Sequence, residues 1–100
     1  MSDRNSPLRR GVRYLSVLQG HAFDGLRLKQ IAEAMQINPS MAHRDLTDLA
    51  DEGMVERIPG REDCWRLSPK PIQLARAHAE EVSRLRAHVD QFDQRYGRTL

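Results

Sequence analysis

A chain of 100 residues with 39% hydrophobic and 30% charged side chains is one globular domain with room for one extra element, and it is not a disordered polymer. The net charge is only +2 and there is a single cysteine, Cys64. That excludes an internal disulfide framework and a multi-cysteine zinc site and fits a reducing cytoplasm. No apolar run reaches membrane-spanning length, and the start does not resemble a signal peptide.

The charge is unevenly spread. Residues 1–30 carry six basic side chains against two acidic ones, residues 31–56 one basic against six acidic, and residues 57–70 four basic against two acidic. Basic segments therefore bracket an acidic middle. Such bracketing suits phosphate contacts on either side of a groove, or else is solvated surface.

In chain order, residues 1–6 are polar and expected to fray. Residues 7–19 read as a helix, with Ser6 as cap and Pro7 in the first turn. Its expected apolar face is Leu8, Val12, Leu15 and either Leu18 or Val17. Gly20 ends it, and the loop that follows offers Phe23 as a plug for the core edge. LRL at 26–28 alternates like a short strand. KQIAEAMQI predicts a second helix over about 29–36, burying Ile31, Ala32, Met35 and Ile37, although Leu28 has no side-chain oxygen to cap it.

Asn38-Pro39 is the strongest local signal, a favoured N-cap followed by a favoured first helical residue. A third helix therefore starts at Pro39, buries Ala42, Leu46, Leu49 and Ala50, and stops at Gly53. Only Gln36, Ile37 and Asn38 separate it from the second helix, which forces a sharp crossing, the helix-turn-helix geometry. MVERIP, a GRED turn and CWRLS then predict a β-hairpin, with LRL as its third strand. Trp65 is expected between hairpin and helices. Ser68-Pro69 opens a last helix. From Ala75, the positions Ala75, His78, Val82, Leu85, Val89, Phe92 and Tyr96 step by alternating threes and fours, a heptad seam.

The chemistry sits on the third helix. At 100° per residue, Ser40, His43, Arg44 and Thr47 lie opposite its core face, with Met41 near its start. Arg44 suits a guanine, Ser40 and Thr47 can donate or accept, His43 reaches a base or a phosphate, and Met41 suits a thymine methyl. The bland alternative is an ordinary exposed helix face. Asp48 and Asp51 also point outward and would repel phosphate, but recognition helices read mostly with their N-terminal residues. Arg57 and Arg61 belong to the wing, and Arg9, Arg10, Arg13 and Lys29 are further phosphate candidates. Each of these is equally consistent with a solvated or locally paired surface charge.

Catalytic signals are weak. Cys64 reads as a small packed residue, the four histidines lack metal-ligand spacing, and no Gly-rich phosphate loop exists. No enzyme, cofactor or metal is expected. Val82, Leu85, Val89, Phe92 and Tyr96 either pack on the same helix of a second copy, making a homodimer, or fold back on the first helix.

The stretches LRLKQIAEAMQI, PSMAHRDLTDLADEGMVER and WRLSPKPIQLA, with the Ala-His-Arg run at 42–44, resemble the winged helix-turn-helix of IclR-type transcriptional regulators over residues 8–74. The resemblance implies a DNA-reading role for Ser40, Met41, His43 and Arg44. Two departures matter. Family members often carry an apolar residue where Asp45 stands here, and they place a large effector-binding domain after the wing, whereas only one helix follows Lys70. Small-molecule sensing is therefore not implied. The plan of a winged domain plus a C-terminal helix is also similar to PadR-like regulators and to compact phage or plasmid regulators.

The expected fold is mainly α with a small β-wing. Residues 1–6 form a disordered start, 7–68 a winged helix-turn-helix and 69–97 a dimerising helix. The expected function is a cytoplasmic, sequence-specific double-stranded DNA-binding repressor that acts as a homodimer. The alternatives are a winged-helix protein-interaction module and a phage-type packaging protein.

Overall fold

The computed structural model describes residues 6–97; the rest of the start expected to fray, residues 1–5, lies outside them. The elements run α1 (Pro7–Leu18), β1 (Leu26–Arg27), α2 (Leu28–Met35), α3 (Pro39–Asp51), β2 (Val55–Ile58), β3 (Arg61–Leu67) and α4 (Pro69–Gly97). This is the mainly helical class with a small β-wing that the sequence leads one to expect.

Local chemistry sets the helix starts. Ser6 accepts the Arg9 N–H ahead of Pro7, and Asn38 Oδ1 accepts the Met41 N–H at 2.8 Å ahead of Pro39. Each cap satisfies a donor that the first turn leaves without an intrahelical partner. Helix α2 solves its missing cap from the other side. Gln30 Oε1 reaches back and accepts the backbone N–H of Arg27 at 2.9 Å, half of a capping box. Between α2 and α3, Gln36 adopts a left-handed φ of 59°. That single residue reverses the chain tightly enough for α3 to cross α2.

The sheet has the order β1-β3-β2 and is antiparallel throughout. Leu26 faces Trp65, and Val55 faces Leu67. Leu28 already belongs to α2, so the LRL strand is one residue shorter than expected. The hairpin closes on Pro59-Gly60 rather than on GRED, because Arg61, Glu62 and Asp63 open β3. An irregularity separates the Arg57–Trp65 pair from the Ile58–Arg61 pair. Gly25 is required where the loop passes β3. Its φ is +66°, and a Cβ there would sit 2.5 Å from the Trp65 carbonyl oxygen, too close for any other residue.

Trp65 plugs the core as expected, only 2% exposed, against Tyr14, Leu18, Ile31, Met35 and Leu46. Two expectations are corrected. Leu8 and Val12 are 82% and 62% exposed, and the inward side of α1 is Arg10, Tyr14 and Leu18. The helix is rotated because Arg10 and Tyr14 find a carboxylate on α3, described below. Phe23 is 87% exposed rather than a plug. Ile58 closes that edge instead, with its Cδ1 up against Gly25.

Helix α4 touches the body only near its start. There Lys70 Nζ donates to the Glu52 carbonyl at 3.0 Å and Ser68 Oγ donates to the Gly53 carbonyl. From Ile72 to Gly97 every residue is exposed except the partly buried Val82. At about 1.5 Å per residue, its 29 residues span some 43 Å. The radius of gyration is 19.7 Å, against about 13 Å for a compact 100-residue chain. The alternative in which the seam folds back on α1 is therefore overturned, since Leu85, Val89 and Phe92 stand uncovered.

Candidate nucleic-acid interface

Helix α3 buries Ala42 and Leu46 completely and rests Leu49 and Ala50 against the core. The opposite side is left open. Of the five residues expected to read bases, Ser40, His43 and Arg44 are exposed, while Met41 and Thr47 are half-buried. Thr47 Oγ1 donates to the His43 carbonyl at 2.8 Å, so its proton is committed and its hydroxyl offers lone pairs. Asp48, Asp51 and Glu52 are exposed beyond the first two turns. The outer face thus divides into a neutral-to-basic N-terminal half and an acidic C-terminal half.

A polar brace on the inner side fixes how α3 sits. Arg10 Nε donates to Asp45 Oδ2 at 2.7 Å and Arg10 Nη2 to Asp45 Oδ1 at 3.2 Å, a bidentate pair. Tyr14 Oη donates to Asp45 Oδ2 at 2.6 Å. The Arg10 and Asp45 side chains are 10% and 13% exposed. Burial pushes the Asp45 carboxyl up, but the hydrogen bonds from Arg10 and Tyr14 and the charge of Arg10 outweigh it and hold the group below the usual carboxylate range. Burial, followed by the bond to Asp45, raises the Tyr14 hydroxyl well above its ordinary value. The expectation that Arg10 meets phosphate is therefore corrected, because its guanidinium is spent inside. Arg13 is also drawn inward, where Nη2 donates to the Met35 carbonyl at the end of α2 at 3.3 Å. Arg9 and Lys29 remain exposed.

Sequence reading missed this brace. Arg10, Tyr14 and Leu18 share helical spacing as well as Leu8, Val12 and Leu15 do, and a charged member disguised the inward set. The available signal was Asp45 itself, an acid at a position where the resembling family often has an apolar residue.

The wing and the recognition helix meet at one cluster. Arg57 Nη2 lies 3.0 Å from His43 Nε2. Arginine only donates, so Nε2 accepts and Nδ1 carries the ring proton. The Arg57 guanidinium carbon is 4.8 Å above the Trp65 ring, and the His43 ring stands edge-on to Trp65 with centroids 6.4 Å apart. Arg57 is thus held beside α3 and away from the wing tip. Arg61 occupies the tip, 3.8 Å from Asp24, while Arg27 lies 3.9 Å from Asp63. All four of those side chains are more than half exposed, and such pairs contribute about 0–1 kcal/mol. Across the hairpin, Arg66 Nε donates to Glu56 Oε2 at 2.8 Å. Cys64 is buried, with Sγ 3.7 Å from Asp63 Oδ1.

Among the described residues, no group of His, Cys, Asp or Glu is arranged to hold a metal ion, and no helix is long and apolar enough to cross a membrane. Neither a curated protein nor a solved structure matches the chain. The IclR helix-turn-helix domain matches residues 7–59, a span that takes in α1, β1, α2, α3 and β2 with their connections. With more than half of its length inside that match, the chain belongs to the IclR helix-turn-helix family of DNA-binding transcription regulators.

Proposed function

We propose that the chain reads a specific double-stranded DNA sequence as a homodimer and represses transcription by occluding the site in the cytoplasm. The N-terminal half of α3 enters the major groove, with Arg44 and His43 aimed at base edges, Ser40 and Thr47 supplying hydroxyls and Met41 an apolar contact. Arg9, Lys29 and Arg61 contact phosphates, and Arg57 joins them from beside His43. A homodimer through α4 would set two such helices on a pseudo-palindromic site. No effector is needed for this reading.

The observation that carries it is the exposure of Ser40, His43 and Arg44 on a helix whose start is rigidly capped by Asn38 and whose back is braced through Asp45. Selection of bound duplexes from a random pool, run with the wild type and Arg44→Ala, tests it. The variant should bind its best site about 5- to 150-fold more weakly, the equivalent of roughly 1–3 kcal/mol, and lose preference at one base pair per half-site. An unchanged preference contradicts the assignment. A second reading, docking of α3 on a basic protein surface, is favoured by the exposed Asp48, Asp51 and Glu52. It predicts that charge removal there abolishes partner binding and leaves DNA binding untouched.

A further inference from the structure

The homodimer assumed above leaves open how two copies of α4 meet, and the sequence of its flanks settles the direction. We infer that α4 pairs in parallel with α4 of a second copy, in register, as a two-stranded coiled coil that sends both winged domains off the same end. This rests on the homodimer reading and adds orientation and register to it.

Three observations support it. The seam residues Leu85, Val89 and Phe92 are 63%, 56% and 62% exposed on a helix that projects from the body, and the stretch from Ala75 onward keeps strict alternating steps of three and four. One row of the seam holds β-branched Val82 and Val89, and the other holds His78, Leu85 and Phe92; β-branched residues in the first row with leucine in the second favour two strands over three or four. The flanking charges then choose between directions. In a parallel pair, each flanking residue faces the one five positions later on the other helix. Glu81 therefore faces Arg86 of the second copy, and His88 faces Asp93 of the second copy. Both matches occur twice by symmetry, and both set a donor against a carboxylate.

The antiparallel arrangement that keeps the whole seam covered sets Val82 against Phe92 and Leu85 against Val89. It matches Glu81 with Arg95 of the second copy, but it brings Arg86 onto Arg86 and His88 onto His88 and leaves Asp93 beside Ala79, so the second acid–donor match is lost. The Arg86 pair sets like charges across the helices, which counts against it.

Sedimentation and thiol cross-linking test the proposal on the full chain. The native Cys64 is 2% exposed, so a cysteine added on α4 supplies an accessible thiol. Phe92→Cys should oxidise to a disulfide-linked dimer, because in the parallel register the two thiols face each other. In the antiparallel register, Phe92 of one copy lies about 15 Å along the axis from Phe92 of the other, beyond disulfide reach. Glu81→Arg should weaken the dimer about tenfold, and adding Arg86→Glu should restore it, since both pairs reappear with their signs exchanged. A wild type that sediments as a monomer overturns the homodimer reading itself. A dimer in which only a mixture of Val82→Cys and Phe92→Cys cross-links overturns the parallel direction alone, as does failure of the charge exchange. DNA binding, measured separately, bears on neither outcome.

Discussion

Replacing Asp45 with asparagine keeps the volume and removes the charge that both Arg10 and Tyr14 need. The carboxylate accepts three hydrogen bonds, at 2.7, 3.2 and 2.6 Å; an asparagine oxygen can hold the shorter contacts only by surrendering the bidentate pair. With side chains only 10% and 13% exposed, the buried-pair figures apply rather than the surface ones. Loss of one partner then costs about 3 kcal/mol for Asp45→Asn and up to about 5 kcal/mol for Asp45→Ala, which strands the guanidinium entirely. Against a total stability of about 5–15 kcal/mol, Asp45→Asn should lower Tm by roughly 10–20 °C. Urea unfolding followed by the fluorescence of Trp65, the only tryptophan, measures it. The triple change Arg10→Met, Tyr14→Phe and Asp45→Leu removes every polar member together and should recover most of the loss. The pH dependence has a defined sign. The Asp45 carboxyl lies below its unfolded value in the fold. Its contribution is therefore present above the ordinary aspartate value of about 4 and is lost as pH falls through the folded value. The gap between wild type and Asp45→Asn should be full at neutral pH and close in strong acid. A gap under about 0.5 kcal/mol at pH 7, or one that does not depend on acid, refutes the brace.

Further expectations follow from single contacts. Gly25→Ala forces a Cβ to within 2.5 Å of the Trp65 carbonyl oxygen at a left-handed φ and should cost on the order of 1–3 kcal/mol in denaturant unfolding; a neutral result would contradict the close approach. Phe23→Ser, at a side chain 87% exposed, should shift stability by less than about 0.5 kcal/mol, whereas a core plug would cost several times more. Tyr14 sits above its ordinary value, so its contribution is full below about pH 10 and falls as pH rises beyond it; Tyr14→Phe should abolish that alkaline loss in a pH-resolved melt. Arg57→Ala and His43→Ala, separately and together, should show a coupling of about 0.5–1 kcal/mol in a double-mutant cycle on DNA affinity, because one side chain holds the other.

Most of the fold was legible because its punctuation is local. Asn38-Pro39, Gly53 and Ser68-Pro69 act through their own backbone and neighbours, and α3 and α4 start where they indicate. The sequence points to GRED as the turn because Arg61, Glu62 and Asp63 look like loop residues, yet they open β3 and the chain turns at Pro59-Gly60. Periodicity misled at α1, where two interleaved faces had similar spacing. The choice between them lies with Asp45, 31 and 35 residues downstream of Tyr14 and Arg10, and no local window contains that partner. Phe23 failed for a related reason. Hydrophobicity favours burial, but Ile58 from the hairpin occupies that edge. At the candidate site, the outward side of α3 was readable from helical geometry. The placement of Arg57 against His43 and Trp65 was not, since it depends on how the hairpin lies across α3.

Duplex binding by the full chain across a salt series tests the central claim, that α3 and the wing engage DNA, most directly. Arg9, Lys29, Arg57 and Arg61 offer four phosphate contacts per copy, so for a dimer log K should fall linearly with log salt with a slope approaching about −7. Absence of duplex binding at low salt, or binding indifferent to salt, would contradict it.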